Sequence, residues 1–217
     1  PEEAVAFDEL TGGGIDLIIN VIDASAPNRG LYLTTQLAEL RIPMVIAFNM
    51  SDDARKRGIK FDLPKLEKYF GAPIALTVGR TRAGVEPLAE KLSKALGRAG
   101  APGVPMLSYG ADIDESLGAV ADKIASLGIE KYAHIPPRFF AAKLLESDAC
   151  TMKIPELRPA WKEAAAQIRH LSDIHAIDDT PTFMADRRYA MVSGACREAV
   201  SSSGEKRREI SDAIDLA

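Results

Sequence analysis

Pro43-Met44-Val45-Ile46-Ala47-Phe48 is an unbroken apolar run of strand length, closed at once by the polar string Asn49-Met50-Ser51-Asp52. A run this short, without polar alternation, suits a strand buried on both faces, and such strands belong to parallel sheets covered by helices. The flanking segments fit that scheme. Leu17 to Ile22 is rich in β-branched residues and ends at Asp23-Ala24-Ser25-Ala26-Pro27, and Leu31 to Leu40 then carries Leu33, Leu37 and Leu40 at helical spacing. Helical signals return over Asp53–Arg57 and Leu63–Phe70. A third short strand, Pro73 to Val78, leads into Gly79-Arg80-Thr81-Arg82-Ala83-Gly84, and Val85 to Leu96 is an amphipathic helix. Strands alternating with helices predict an α/β domain with a mostly parallel sheet. Ligands of such sheets sit outside the carboxyl ends of the strands, where the polar loops of this chain lie.

Gly97-Arg98-Ala99-Gly100-Ala101-Pro102-Gly103-Val104-Pro105 breaks the pattern with small residues and prolines. We expect the domain boundary there, with residues 1–97 in the first domain and 98–217 in the second. Beyond it strand signals stop. Ile113–Leu127 has helical periodicity with Asp112 as N-cap, Pro136-Pro137 precede a helix over Arg138–Glu146, and Pro159–Leu171 and Asp186–Val200 read as further helices. The second domain is expected to be all-α.

Composition narrows the function classes. Hydrophobic residues are 47% and charged residues 27%, as in an ordinary soluble protein, and the formal net charge is -4. No basic stripe speaks for nucleic acid as a partner; the one dense cluster, Lys206-Arg207-Arg208, suits a solvated helix face. Cys150 and Cys196 are too few for a disulfide scaffold, which points to a reducing compartment. His134, His170 and His175 form no metal motif, since His170 and His175 are not spaced as an i, i+4 pair. The longest apolar runs, Ile15–Ile22 and Pro43–Phe48, fall far short of the ~20 residues that cross a bilayer, and no secretory signal opens the chain.

The string Asn49-Met50-Ser51-Asp52 carries the most chemistry. A carboxylate placed after a buried strand can accept hydrogen bonds from both the ring N–H and the exocyclic amine of guanine, a donor pair that adenine lacks. Asn49 would tie neighbouring loops together and touch the purine edge, with Met50 along the base face. Read alone, Asn-x-x-Asp equally suits a helix N-cap. A second loop, Thr77-Val78-Gly79-Arg80, follows the next strand, where a backbone N–H could meet the guanine carbonyl oxygen. Two such loops at successive strand ends favour guanine recognition.

These residues make the chain resemble the cytosolic region of FeoB, a bacterial ferrous iron transporter with an attached GTPase. The resemblance rests on Asp16 to Ser25, Leu31 to Leu37 and Ile42 to Asp52, and on Tyr132-Ala133-His134-Ile135-Pro136-Pro137-Arg138-Phe139 with Lys143 to Glu146 for the helical domain. Methionine at position 50, where many small GTPases carry lysine, looks like FeoB. The resemblance implies a partial Ras-like GTPase domain followed by an all-α, GDI-like regulatory domain. It implies Asn49, Met50, Asp52, Thr77, Val78, Gly79 and Arg80 as nucleotide-binding residues, GTP or GDP as ligand, and no catalytic or metal-binding residues in this chain. Gly79 departs from the family pattern, which commonly has serine there.

A GTPase of this class also needs a Gly-x-x-x-x-Gly-Lys-Ser/Thr loop for the phosphates and magnesium. The chain holds no Gly-Lys pair and no Asp-x-x-Gly switch motif, and Gly12-Gly13-Gly14 precedes a strand, where a turn is the expected reading. Against the family pattern, the chain opens just after the second switch, with Pro1 to Ala6 starting the next helix. An upstream segment, a proteolytic product and a natural remnant all account for that. GTP hydrolysis and Mg2+ are therefore expected of the full-length protein and not of this chain alone. The unpaired sheet edge and exposed apolar surface left behind predict instability or association. Glu209 to Asp215 resembles the approach to the first membrane helix, which implies the membrane-embedded remainder of the transporter as partner. It puts this soluble chain at the cytoplasmic face of the bacterial inner membrane. A homo-oligomer, a non-catalytic interaction module with a GTPase-like fold, and an unrelated α/β enzyme stay open.

Overall fold

The computed structural model describes residues 2–97 and 104–202. The expected linker, the Lys206-Arg207-Arg208 cluster and the Glu209–Asp215 segment lie largely or wholly outside the described residues. In chain order the first elements are α1 (Glu2–Gly12), β1 (Ile18–Asp23), α2 (Pro27–Ala38), β2 (Met44–Asn49), α3 (Ser51–Lys56) and β3 (Ile59–Phe61). Then come α4 (Leu63–Phe70), β4 (Ile74–Leu76), α5 (Val85–Leu96), α6 (Ala111–Ala125) and α7 (Pro137–Leu145). The chain goes on with α8 (Trp161–His175), α9 (Thr180–Ala199) and β5 (Val200–Ser202). Short 3-10 turns occupy Glu130–Tyr132, Thr151–Lys153 and Pro155–Ala160.

The chain forms two compact units. One joins Pro1–Ile15 to Met106–Tyr189, the other Asp16–Pro105 to Ala190–Ala217. A division by chain position at 97/98 differs from this in its two terminal pieces: α1 groups with the helices, and the end of α9 with β5 groups with the sheet.

The sheet unit holds three parallel strands in the order β1-β2-β4. β2 is central, and Met44 to Phe48 are all buried, as an unbroken apolar run requires. β1 alternates: Asn20 and Ile22 are buried, while Ile19 (48% exposed) and Val21 (60%) present apolar surface at its other face. Among the described residues β1 pairs only with β2, so it is an edge strand. The buried Asn20 amide donates to Thr34 Oγ1 at 2.8 Å, which satisfies a polar group that would otherwise be costly. α2 starts on Pro27 and comes so close to β1 that a Cβ on Gly30 would overlap the Ile22 side chain. Asp62 caps α4 by accepting from Lys65 N–H at 3.1 Å, and Gly71 ends it in the left-handed region.

Two strands were not readable in the sequence. β3 and β5 pair antiparallel, with Phe61 opposite Val200 and Ile59 opposite Ser202. Asp62 N–H donates to the Ala199 carbonyl at 2.7 Å, and Tyr69 Oη donates to Glu198 at 2.5 Å beside this pair. Helical spacing over Asp186–Val200 therefore overruns by one residue, since Val200 belongs to a strand.

The helical unit packs α6, α7 and α8 around Ile113, Leu117, Phe140, Leu145, Leu157 and Leu171. α1 belongs to it through Phe7, stacked 6.1 Å from Phe139, and through Thr11, whose carbonyl lies 3.1 Å from His134 Nε2. Gly12 ends this helix, and Gly13 and Gly14 turn the chain with φ of 87° and 82°. The expected cap of α6 needs correction: Gly110 is the N-cap, and Asp112 lies inside the first turn, 3.1 Å from His175 Nε2. Asp114, one turn in, instead gathers the Ser108 hydroxyl, the Tyr109 N–H and the Arg138 guanidinium. Burial raises its carboxyl, and those hydrogen bonds outweigh burial and hold it below the usual carboxylate range. Cys150 and Cys196 are free thiols, and burial pushes the Cys196 thiol up to about 11. Among the described residues no helix is long and apolar enough to cross a membrane.

Candidate functional site

The parallel register sets Asp23 beside Asn49, so the carboxyl ends of β1 and β2 come level, and Leu76 of β4 pairs with Phe48 one residue earlier. Three polar loops leave the sheet here. Backbone bonds lock them together: Ala24 N–H donates to the Asn49 carbonyl at 2.8 Å, and Thr77 N–H to the Phe48 carbonyl at 2.9 Å. Asp23 turns the first loop by accepting from Ser25 N–H at 2.7 Å.

Asn49 joins the second and third loops. Its Oδ1 accepts from Gly79 N–H at 2.9 Å and more weakly from Thr77 Oγ1 at 3.4 Å. Ser51 adds a second tie, donating to the Thr77 carbonyl from both its N–H (3.1 Å) and its hydroxyl (3.0 Å). Sequence reasoning gave Ser51 no role; its position inside the Asn49–Asp52 string was the available signal. Met50 is the N-cap of α3 in the left-handed region, φ 59°, and its side chain is 43% exposed. Neither Asn49 nor Asp52 caps α3, so the simple capping reading of Asn-x-x-Asp does not apply.

Asp52 stands in the first turn of α3 with its side chain only 19% exposed. Arg80 Nη2 lies 3.4 Å from its Oδ2 and Lys56 Nζ 3.7 Å. Lys56 is closer to Asp53, at 3.0 Å, and its hydrogen bond and charge hold the Asp53 carboxyl below the usual range. Thr77 is buried, Val78 half-buried, and Gly79 and Arg80 exposed. The structure thus brings all seven sequence-selected residues to one end of the sheet.

The third loop closes through a bridge between Val78 and Ala83, with Val78 N–H donating to the Ala83 carbonyl at 2.9 Å. Gly84 then starts α5 at φ 81°, and a Cβ there would overlap the Leu76 carbonyl oxygen. Gly84→Ala is expected to cost the sheet unit about 1–3 kcal/mol, read as a lower urea midpoint. Gly79→Ala, whose Cβ would meet Asn49 Oδ1 at an ordinary 3.5 Å, is expected to leave the midpoint unchanged.

Fold and loop geometry define a class: the later strands of a G domain joined to a helical domain. The family model for ferrous iron transport protein B matches residues 1–92, and that for the FeoB cytosolic helical domain matches residues 109–201. The chain is 34% identical to an Fe(2+) transport protein A/Fe(2+) transporter FeoB fusion protein of Porphyromonas gingivalis, over 92% of this chain and 24% of that protein. It is 29% identical to the Fe(2+) transporter FeoB of Escherichia coli K12, over 90% of this chain and 24% of that protein. It superimposes on S. thermophilus NFeoB bound to mGMPPNP with TM-score 0.79 at 29% identity, covering 92% of this chain and 73% of that one. A GDP-bound point variant of the S. thermophilus FeoB G-domain gives 0.76 at 32% identity, covering 93% and 75%. The chain belongs to the FeoB family of ferrous iron transporters and corresponds to the cytosolic part. It spans about a quarter of the length of the curated relatives it matches.

Proposed function

We propose that this chain is the GTP-binding regulatory part of a bacterial ferrous iron transporter, a guanine-nucleotide switch that controls Fe(II) uptake. In this reading residues 1–97 supply the distal part of the G domain and residues 98–217 the regulatory helical domain. The observation that carries it is the Asn49 Oδ1 to Gly79 N–H bond of 2.9 Å, which fixes two loops around the partly buried Asp52 carboxylate. With Oδ1 so engaged, Asn49 offers a purine its Nδ2 donor. Asp52 offers two acceptors to the N1–H and amine of guanine, Met50 flanks the base face, and Thr77, Val78, Gly79 and Arg80 form the second base-reading loop. Relatives crystallised with GDP or mGMPPNP support guanine nucleotide as the ligand. The membrane-embedded remainder of the transporter is the partner, at the cytoplasmic face of the inner membrane.

Magnesium belongs in this reading to the full-length protein with its phosphate loop, since the ion is held there by the loop's hydroxyl and the phosphates. Among the described residues no group of three or more His, Cys, Asp or Glu side chains could hold a metal ion.

The test is a titration of fluorescent GDP and ADP analogues against this chain, and against the chain extended by the sequence encoded ahead of Pro1. Guanine-selective binding, at least tenfold over adenine and strongest in the extended chain, is the expected result. Equal binding of both bases, or none by either protein, sinks the switch and leaves a non-catalytic interaction module.

A further inference from the structure

The two base-reading loops carry a built-in rival for the base. Guanine's recognition edge is a ring N–H beside an exocyclic amine on one carbon, a paired donor set, and the arginine guanidinium has the same paired donors. In this structure the guanidinium of Arg80 stands at the Asp52 carboxylate, Nη2 to Oδ2 3.4 Å. We propose that Arg80 sets the affinity of the site by acting as an internal surrogate for the guanine edge, so that the base binds by displacing it from Asp52. This rests on the guanine-site reading given above.

The geometry suits exchange. The Arg80 side chain is 76% exposed, so it can swing away without losing packing. Its backbone stays in place when it does, because the loop is held independently by the Asn49–Gly79, Ser51–Thr77 and Val78–Ala83 bonds. Lys56 is a poorer rival. It sits farther from Asp52, at 3.7 Å, is shared with Asp53 at 3.0 Å, and has a single ammonium in place of a planar donor pair. Displacing Arg80 also trades a charge-assisted contact for a neutral donor pair, so the rivalry always opposes the base. For an exposed ion pair the effect is small, about a twofold to fivefold change in affinity, and salt screens it.

The experiment uses the full-length protein and fluorescent GDP and ADP analogues at 0.05 and 0.5 M salt. Arg80→Ala is expected to bind GDP twofold to fivefold more tightly than the unsubstituted protein at low salt. The gap closes toward one at high salt, and ADP binding does not change. Arg80→Lys, which keeps the charge and loses the fork, should recover less than the full gain. Retained guanine selectivity with unchanged or weakened GDP affinity in Arg80→Ala overturns the proposal alone, because Arg80 is then idle or a direct contact. Loss of guanine selectivity in the unsubstituted protein removes the underlying reading and the proposal with it.

Discussion

Asp52→Asn is expected to lower affinity for GDP by on the order of 100-fold while raising affinity for the xanthine nucleotide. The carboxylate offers two acceptors to guanine's two donors. The amide keeps one acceptor and turns the other position into a donor, which then faces the guanine amine. Two mismatched donors in a site that is 19% exposed cost about 3 kcal/mol, and tenfold in affinity is 1.4 kcal/mol. Xanthine has a carbonyl where guanine has the amine, so the new donor is matched again. The fold should survive, because Asp52 caps nothing and its partners Arg80 and Lys56 are exposed cations. Titration of GDP and XDP, with a thermal melt as a control, reads both effects. A fall in GDP affinity below threefold would mean that Asp52 is a surface anion serving its two cations, and the guanine site would be lost with it.

What could be read from the sequence depended on how local the governing physics is. Met44 to Phe48 read as a doubly covered strand because burial on both faces demands an unbroken apolar run, and the strand is buried throughout. α5 matched residue for residue, since Gly84 and Gly97 bound it on either side. The Asn49 tie was legible because the loops of a parallel sheet gather at the carboxyl ends of its strands, so an acceptor closing β2 lies near the loop that leaves β4. β3 and β5 were not: three residues are too few to set a period, and their pairing depends on a partner far along the chain. The helix opening at Pro1 to Ala6 was expected, but the same distance hid where it belongs: Phe7 of α1 packs on Phe139 among the helices. Asp112 looked like a cap because a cap is a local pattern, yet Gly110, at φ 116°, takes the turn two residues earlier. The approach of Arg80 to Asp52 joins two loops, and no spacing rule encodes it.

Arg188 was equally hidden, since it lies on the expected helix over Asp186–Val200 and nothing local marks it as buried. Its side chain is 1% exposed and forms an ion pair with Glu146, the C-cap residue of α7. The guanidinium lies 5.2 Å over the Tyr109 ring, with Nε 3.4 Å from the Tyr109 hydroxyl. Lys143 is the second cation near Glu146, at 3.8 Å, and it is shared with Asp148 at 3.9 Å. Arg188→Met therefore leaves the Glu146 carboxylate, 14% exposed, with a divided and more distant partner. Removing one member of a buried pair costs about 3–5 kcal/mol, because the remaining charge stays desolvated. The double variant Arg188→Met with Glu146→Leu should recover most of that, since an apolar pair of similar volume needs no solvation. Trp161 is the chain's one tryptophan and opens α8 in the helical unit, so its fluorescence in urea reports this unit. A single variant within about 1 kcal/mol of the unsubstituted protein would mean that water or Lys143 already compensates Glu146. A large loss rescued by the double variant would make Arg188–Glu146 the polar clamp that holds α9 to α7.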